Sequence, residues 1–225
     1  VGLVLVAAIY ILAVASRDFD RMIRLASENA RFANLDSLTE LPNRRAFFEH
    51  VGDALRATQA NRRPFAVAVL DIDGFKAIND LHGHVTGDRL LIEAGRRLQT
   101  VCGEGARIHR LGGDEFALTV SEARDPAAIL KFGERICASI AQPFKLPGAT
   151  ANVSASVGFA IFPIAGESAE LLYERADYAL YFAKSHKRGQ PVIFSEAHES
   201  DIRNQSTVEQ ALRNGCADVI DRSAA

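Results

Sequence analysis

The sequence predicts an α+β protein, a mainly antiparallel sheet with helices packed on its faces. Three observations carry that prediction. Phe65-Ala66-Val67-Ala68-Val69-Leu70 is continuously apolar and bounded by Pro64 and Asp71, as a central strand buried on both faces would be. Gly112-Gly113 stands between two strand-like runs, the composition of a tight hairpin, because glycine reaches positive φ without steric cost. Val153, Ala155, Val157, Phe159 and Ile161 alternate with Ser154, Ser156, Gly158 and Ala160, the pattern of a half-buried strand. Stretches of helical period lie between these runs.

Residues 1–15 are apolar apart from Tyr10 and carry no charge. The run is short of the roughly 20 residues that a spanning helix needs, but it is open at its start. Arg17, Arg21 and Arg24 follow, and basic residues just past a span favour the cytoplasmic side. The expectation is the end of a transmembrane helix over 1–16, in the inner (cytoplasmic) membrane, with the remainder in the cytoplasm. A buried or dimer-forming helix is the alternative. A signal peptide would need a basic n-region, which is missing here. From 17 to 32 a loose apolar stripe, Phe19, Met22, Ile23, Ala26 and Ala30, suits a linker helix, taken to 35. It would pair with a second copy as a coiled coil or serve as a plain amphipathic connector.

Asn43, after Pro42, is placed to cap a helix through about Thr58, with Phe47, Val51 and Leu55 inward. After the apolar strand, Gly74 allows close backbone approach, and a short helix from about Phe75 would aim its amides at an anion. The stretch His82-Gly83-His84-Val85-Thr86-Gly87-Asp88 turns into a long helix with Leu90, Leu91, Ala94, Leu98 and Val101 on one face. Two histidines at i, i+2 in a glycine-rich turn suit loop hydrogen bonds better than a metal. Asp125 caps a helix to about Ala141, with Pro126 in its first position and Ile129, Phe132, Ile136 and Ile140 inward. Pro143, Pro147 and Gly148 mark an edge hairpin over 142–150. Residues 167–186 form a helix with Leu172, Ala176, Ala179, Leu180 and Ala183 inward, and Pro191-Val192-Ile193-Phe194 closes the sheet.

A net charge of -2 gives no support for a nucleic-acid partner held by charge. Cys102, Cys137 and Cys216 lie far apart, without zinc spacing, and their odd number argues against a disulfide framework. They are expected to be small buried hydrophobes in a reducing compartment.

The chemistry concentrates at two acidic strand ends. Asp71-Ile72-Asp73 follows the central strand, and Asp114-Glu115 follows the Gly-Gly pair at the tip of the hairpin. Successive strand side chains point to opposite faces, so Asp114 and Glu115 should not do the same job. If the two ends meet, they form a site for hard cations and phosphate. Asp71 and Asp73 would share one strand face, and periodicity does not choose between them.

Gly112-Gly113-Asp114-Glu115-Phe116 resembles the signature of the GGDEF-domain diguanylate cyclases, which join two GTP molecules into cyclic di-GMP. The resemblance runs from about Asp36 to about Phe194, with Asn34 to Arg45 similar to the family's opening motif. It implies a ferredoxin-like palm core of the nucleotidyl cyclase type over 36–195, and a site completed between two such domains. It implies that Asp71, the carbonyl of Ile72 and Asp114 hold Mg²⁺ or Mn²⁺. Asp114 would also accept the proton of the attacking hydroxyl, with Glu115 in support or in a structural salt bridge. Lys76 matches a position assigned to transition-state stabilisation. Asn79 and Asp88 match guanine contacts; in isolation both would rank as turn residues. Lys184 and Arg188, four apart at a helix end, match contacts to the terminal phosphates; as lone charges they would be solvated.

Two departures stand out. Lys187 and Gly189 flank Arg188 where the family commonly has Gly and Asn. The family's Arg-x-x-Asp product-binding motif falls on Gly103-Glu104-Gly105-Ala106, without its Arg or its Asp, so feedback inhibition there is not expected. Residues 196–225 are expected to be a linker, polar over 196–206, and the start of a possible EAL domain, since Asp201 to Arg213 resembles the lead-in to an EAL phosphodiesterase domain. The expected function is thus a membrane-tethered diguanylate cyclase that binds GTP and pairs with a second copy through its linker helix and membrane segment. The alternative is a catalytically silent GTP-binding module that controls a downstream EAL domain. An adenylyl cyclase is disfavoured by Asn79 with Asp88.

Overall fold

In the computed structural model of the protein, residues 33–61 and 63–197 are described, together with positions 16, 17 and 22. The elements are α1 (Arg44–Asn61), β1 (Ala66–Asp73), α2 (Phe75–His82), α3 (His84–Cys102), β2 (Ala106–Gly112), β3 (Glu115–Val120), α4 (Pro126–Ile140), β4 (Phe144–Leu146), β5 (Ala149–Ala151), β6 (Ser154–Ile161), α5 (Ala169–His186) and β7 (Pro191–Ile193). The main sheet has the order β2-β3-β1-β6-β7, so the apolar run of β1 lies at its centre. All its pairings are antiparallel except β6 with β7. This is the expected mainly antiparallel α+β architecture. β1 runs further than its apolar stretch. Asp71, Ile72 and Asp73 stay in the ladder opposite Ser156, Ala155 and Ser154, which builds the acids into the sheet.

Alternation along β1 sends its side chains into two cores. Ala66, Ala68, Leu70 and Ile72 pack with Leu90, Ala94 and Leu98 of α3 and with Ile129, Ile136 and Ile140 of α4. Val67 and Val69 pack with Phe47 and Val51 of α1 and with Leu172, Ala176 and Leu180 of α5. Each large side chain so buried contributes roughly 1.5–3 kcal/mol. Asn43 Oδ1 accepts the Ala46 amide at 3.1 Å, and Asp125 Oδ1 accepts that of Ala127 at 2.9 Å, which are the caps the sequence predicts. Ser168 caps α5 through the Leu171 amide, so that helix begins at Ala169, two residues later than expected. The turn between α2 and α3 is the single residue Gly83, at φ +80°.

Two expectations are corrected. β6 is buried on both faces rather than one. Its serine–glycine–alanine face is covered by α5, and a Cβ at Gly158 would overlap the carbonyl of Ala176 and the amide of Leu180. The alternation of small with large residues marked close helix approach, not solvent. Gly158→Ala is therefore expected to destabilise the fold by about 2–3 kcal/mol through overpacking, read as a shift in the urea midpoint.

The 142–150 segment forms β4 and β5 as a separate two-stranded sheet, not an edge of the main one. Arg97 holds it against α3. Its guanidinium donates to the carbonyls of Ser139, Gln142 and Pro143 and lies 3.7 Å over the Phe144 ring.

Cys102 and Cys137 are buried free thiols whose pKa values burial pushes up to about 12, as inert core residues. The apolar run 1–15, most of the 17–35 linker, Cys216 and the EAL-like stretch lie outside the described residues. Among the described residues no helix is long and apolar enough to cross a membrane.

A pair of histidines locks α1 to β2. His109 is fully buried with its Nε2 2.7 Å from His50 Nδ1, and Phe47 meets its ring edge-on. Burial, then the neighbouring His50, lowers His109 from the ordinary 6.5 to about 4. A histidine depressed in this way takes up a proton on unfolding, so its stabilisation is complete above pH 6.5 and is lost as pH falls towards 4. The expected loss is on the order of 2–3 kcal/mol between those values, and His109→Phe should flatten that slope in urea midpoints.

Candidate active site

The signature hairpin closes tightly because two glycines take conformations that other residues resist. Gly112 has φ +140° and Gly113 φ +52°. Only Gly113 and Asp114 form the turn. Glu115 already belongs to β3, opposite Gly112 on one side and Asp71 on the other. The ladder shifts register between Arg110 and Gly112, a bulge that re-aims the strand end. The Ile72 amide donates to the Asp114 carbonyl at 3.4 Å. The two acidic strand ends thus meet, across the β1–β3 pairing.

The turn is gripped from behind by a residue the sequence reading did not single out. Arg110 Nε and Nη2 donate to the Gly113 carbonyl at 3.2 and 2.7 Å, while Nη1 reaches Asp36 Oδ1 at 2.8 Å. Asp36 Oδ1 also accepts from the Thr39 amide and hydroxyl, and the Pro42 carbonyl accepts the Arg110 amide. Burial alone would raise the Asp36 carboxyl, but the bonds from Thr39 and Arg110 outweigh it and hold it below its ordinary value. The segment before α1 is in this way fastened to the turn that carries Asp114. Asp36 stood in the opening motif and Arg110 two positions before Gly112. Nothing local joins them across 74 positions.

The electrostatics are those of crowded acids. Burial, then Asp71, raises the Asp114 carboxyl. Burial, then Asp177, Asp71 and Asp114, raises Glu115. Asp114 and Glu115 are therefore not independent, since both feel Asp71. Lys184 Nζ lies 2.7 Å from Asp71 Oδ2. Among the described residues no group of three or more His, Cys, Asp or Glu forms a complete metal cage. Two carboxylates and a backbone carbonyl fit a different kind of ion. Mg²⁺ is bound through one or two carboxylates and leaves its other positions to water and phosphate oxygens. The mutual repulsion of Asp71 and Asp114 is what such a cation relieves.

Asp73 shares the strand face of Asp71 but not its surroundings. Both its oxygens are taken by the hydroxyls of Ser154 and Ser156, at 2.8 to 3.1 Å. The structure thus separates two aspartates that periodicity left equivalent. Lys184 and Arg188 also diverge. α5 ends at His186, so Arg188 stands in the following turn, with its Nε 3.6 Å from Asp73 Oδ1.

The remaining predicted residues line up along α2 and the start of α3. Lys76 is exposed in the first turn of α2, behind Gly74 at φ +82°. Asn79 packs on Gly87, where any Cβ would overlap its Oδ1, and that oxygen is buried without a hydrogen-bond partner. Asp88 is exposed on the first turns of α3. At the far end of α3, Gly103 takes φ +52° and Ala106 starts β2, buried, so neither offers a polar side chain.

Comparison with known proteins gives a consistent picture. The family profile described as "Diguanylate cyclase, GGDEF domain" matches residues 33–190. The bifunctional diguanylate cyclase/cyclic di-GMP phosphodiesterase MucR of Pseudomonas aeruginosa is 36% identical over 192 residues, covering 85% of this chain and 28% of MucR. The diguanylate cyclase TpbB of the same organism is 38% identical over 191 residues, covering 79% of this chain and 44% of TpbB. The chain thus spans less than half the length of these relatives. Among solved structures, the GGDEF domain of TpbB superposes with a TM-score of 0.72 at 35% identity, covering 75% of this chain and 99% of that one. The coiled coil and GGDEF domain of DgcB from Caulobacter crescentus, solved with c-di-GMP, superposes with a TM-score of 0.73 at 28% identity, covering 81% and 96%.

Proposed function

The chain belongs to the GGDEF diguanylate cyclase family, and from that membership we propose that it condenses two GTP into cyclic di-GMP with release of two pyrophosphates. In each step a ribose 3′-oxygen bonds to an α-phosphorus, the bond from that phosphorus to the β-phosphate bridging oxygen breaks, and the hydroxyl proton leaves to a base. The observation that carries this reading is the meeting of Asp71-Ile72 with Asp114, where burial and like charge raise the Asp114 carboxyl. Asp71, the Ile72 carbonyl and Asp114 would hold Mg²⁺, with Mn²⁺ as a substitute. The bound cation supplies charge stabilisation to the phosphoryl group in flight. Asp114 is also the proposed acceptor of the hydroxyl proton, with Glu115 supporting it in the same acidic cluster. Lys76 offers a cation at the head of α2, and Lys184 and Arg188 offer cations to the terminal phosphates.

Asn79 and Asp88 would read guanine, an amide and a carboxylate facing the ring N–H and the exocyclic amine. The unpartnered Asn79 Oδ1 supports this, since a buried acceptor without a bond calls for a ligand donor. Asn79→Ala and Asp88→Ala are each expected to weaken GTP binding by roughly 1–3 kcal/mol. Calorimetry showing unchanged GTP affinity in both variants would move the guanine pocket elsewhere.

One such domain offers one nucleotide site, so the reaction needs two copies face to face. We place the pairing in the 17–35 linker and the uncharged run 1–15, with the domain on the cytoplasmic side of the inner membrane. A second reading shares the pocket: a silent GTP-binding module controlling a downstream EAL domain. The observation that favours it is the Lys184 ammonium seated on Asp71, the carboxylate assigned to the cation. Incubating the dimeric protein with GTP and Mg²⁺ and identifying the product by mass decides between them. Cyclic di-GMP supports the cyclase, and GTP bound but unconsumed supports the silent module.

A further inference from the structure

Asp73 lies two positions from Asp71 on the same strand, yet it is turned entirely to protein partners. Ser154 Oγ donates to its Oδ2 at 2.8 Å, and the fully buried Ser156 Oγ sits 3.1 and 2.9 Å from its two oxygens. Ser156 has a second bond. Its oxygen accepts the Gly189 amide at 3.1 Å. Gly189 stands at φ +79° in a turn closed by the Gln190 amide on the Lys187 carbonyl at 3.0 Å, and the Gln190 carbonyl accepts the Val157 amide at 3.4 Å. The turn is therefore docked on β6 twice, once by backbone and once through Ser156. Arg188 is the residue this turn presents.

We propose that Asp73 is a positioning residue: through Ser156 and Gly189 it fixes the 187–190 turn, and so sets the direction from which Arg188 reaches the terminal phosphates of the nucleotide. This rests on the reading of Arg188 as a phosphate contact. Three physical points support it. The Arg188 side chain is 69% exposed, so its own contacts do little to orient it. Its Nε is the nitrogen 3.6 Å from Asp73 Oδ1, which leaves both terminal Nη groups open to fork a phosphate. And Gly189 has no side chain with which to tie the turn down, while its amide is held by Ser156 of β6. Asp73 is able to provide it because both serine hydroxyls donate inward, which orients the Ser156 oxygen to accept from Gly189.

The test is calorimetry on the full chain with GTP and with GMP, with Mg²⁺ and again with the metal chelated. Asp73→Asn and Ser156→Ala are expected to weaken GTP about fivefold to tenfold while leaving GMP unchanged, because only the terminal phosphates lose a contact. The loss should persist without Mg²⁺ and should vanish in an Arg188→Ala background, where there is nothing left to position. Ser156→Ala keeps the Asp73 charge, so it separates the link from the charge, and Arg188→Ala changes only an exposed side chain. Equal weakening of GTP and GMP, a loss confined to Mg²⁺-containing buffer, or an undiminished loss on top of Arg188→Ala would each overturn the proposal. A wild-type chain that binds no GTP would remove the nucleotide reading itself, a distinct result from a wild type that binds GTP with variants that match it.

Discussion

Asp114→Ala is expected to lower cyclic di-GMP formation at least about 10³-fold while the fold survives. Asp114 stands in a turn, not in the ladder. The closing bonds come from the strand backbone and from Arg110 on the Gly113 carbonyl. Removing the carboxylate should even relieve repulsion with Asp71, so the urea midpoint should hold or rise slightly. The chemistry has no such substitute. The site loses one of its two proposed charged cation ligands and its proton acceptor together. Product mass and denaturation are measured on the same preparation. A folded variant with wild-type turnover would overturn the metal and base assignments.

Arg110→Lys is expected to reduce turnover by roughly 10- to 100-fold with GTP affinity little changed, because a misplaced catalytic turn penalises chemistry more than binding. The guanidinium makes three bonds at once, two to the Gly113 carbonyl and one to Asp36. An ammonium is a point charge without the planar fork, so it satisfies the turn or Asp36, not both. Arg110→Ala is the harsher change. It leaves a partly buried Asp36 carboxylate with only its two Thr39 bonds, and a stability loss of about 1–3 kcal/mol is expected. The lysine variant is therefore the cleaner kinetic test, read as kcat against KM. If Arg110→Lys keeps full kcat, the link from the 33–43 segment to the turn does not matter for turnover.

Much of this protein could be read along the chain. The signature, the buried β1 run, the inward faces of α3, α4 and α5, and the caps Asn43 and Asp125 depend on neighbours a few residues away. Periodicity and backbone preference report them directly. The residue types at the site were legible for the same reason, since glycines and acids at strand ends announce a turn that can hold charge.

The tertiary structure decided what those local features meet. Asp71 and Asp73 are equivalent by period, and the serines of β6, more than 80 positions away, occupy Asp73 while Asp71 meets Lys184 instead. The alternation of β6 looked half-exposed because sequence does not say that α5 will come close enough for Gly158 to touch its backbone. The 142–150 hairpin stands apart from the main sheet, and Arg97 on α3 bonds the carbonyls of Gln142 and Pro143 at its start. Asp36 and Arg110 find each other across the whole of α1, β1, α2 and α3. In each case the side-chain pattern fixes which way a residue points. What stands there to receive it depends on strand order and helix approach, which are set by packing the entire chain at once.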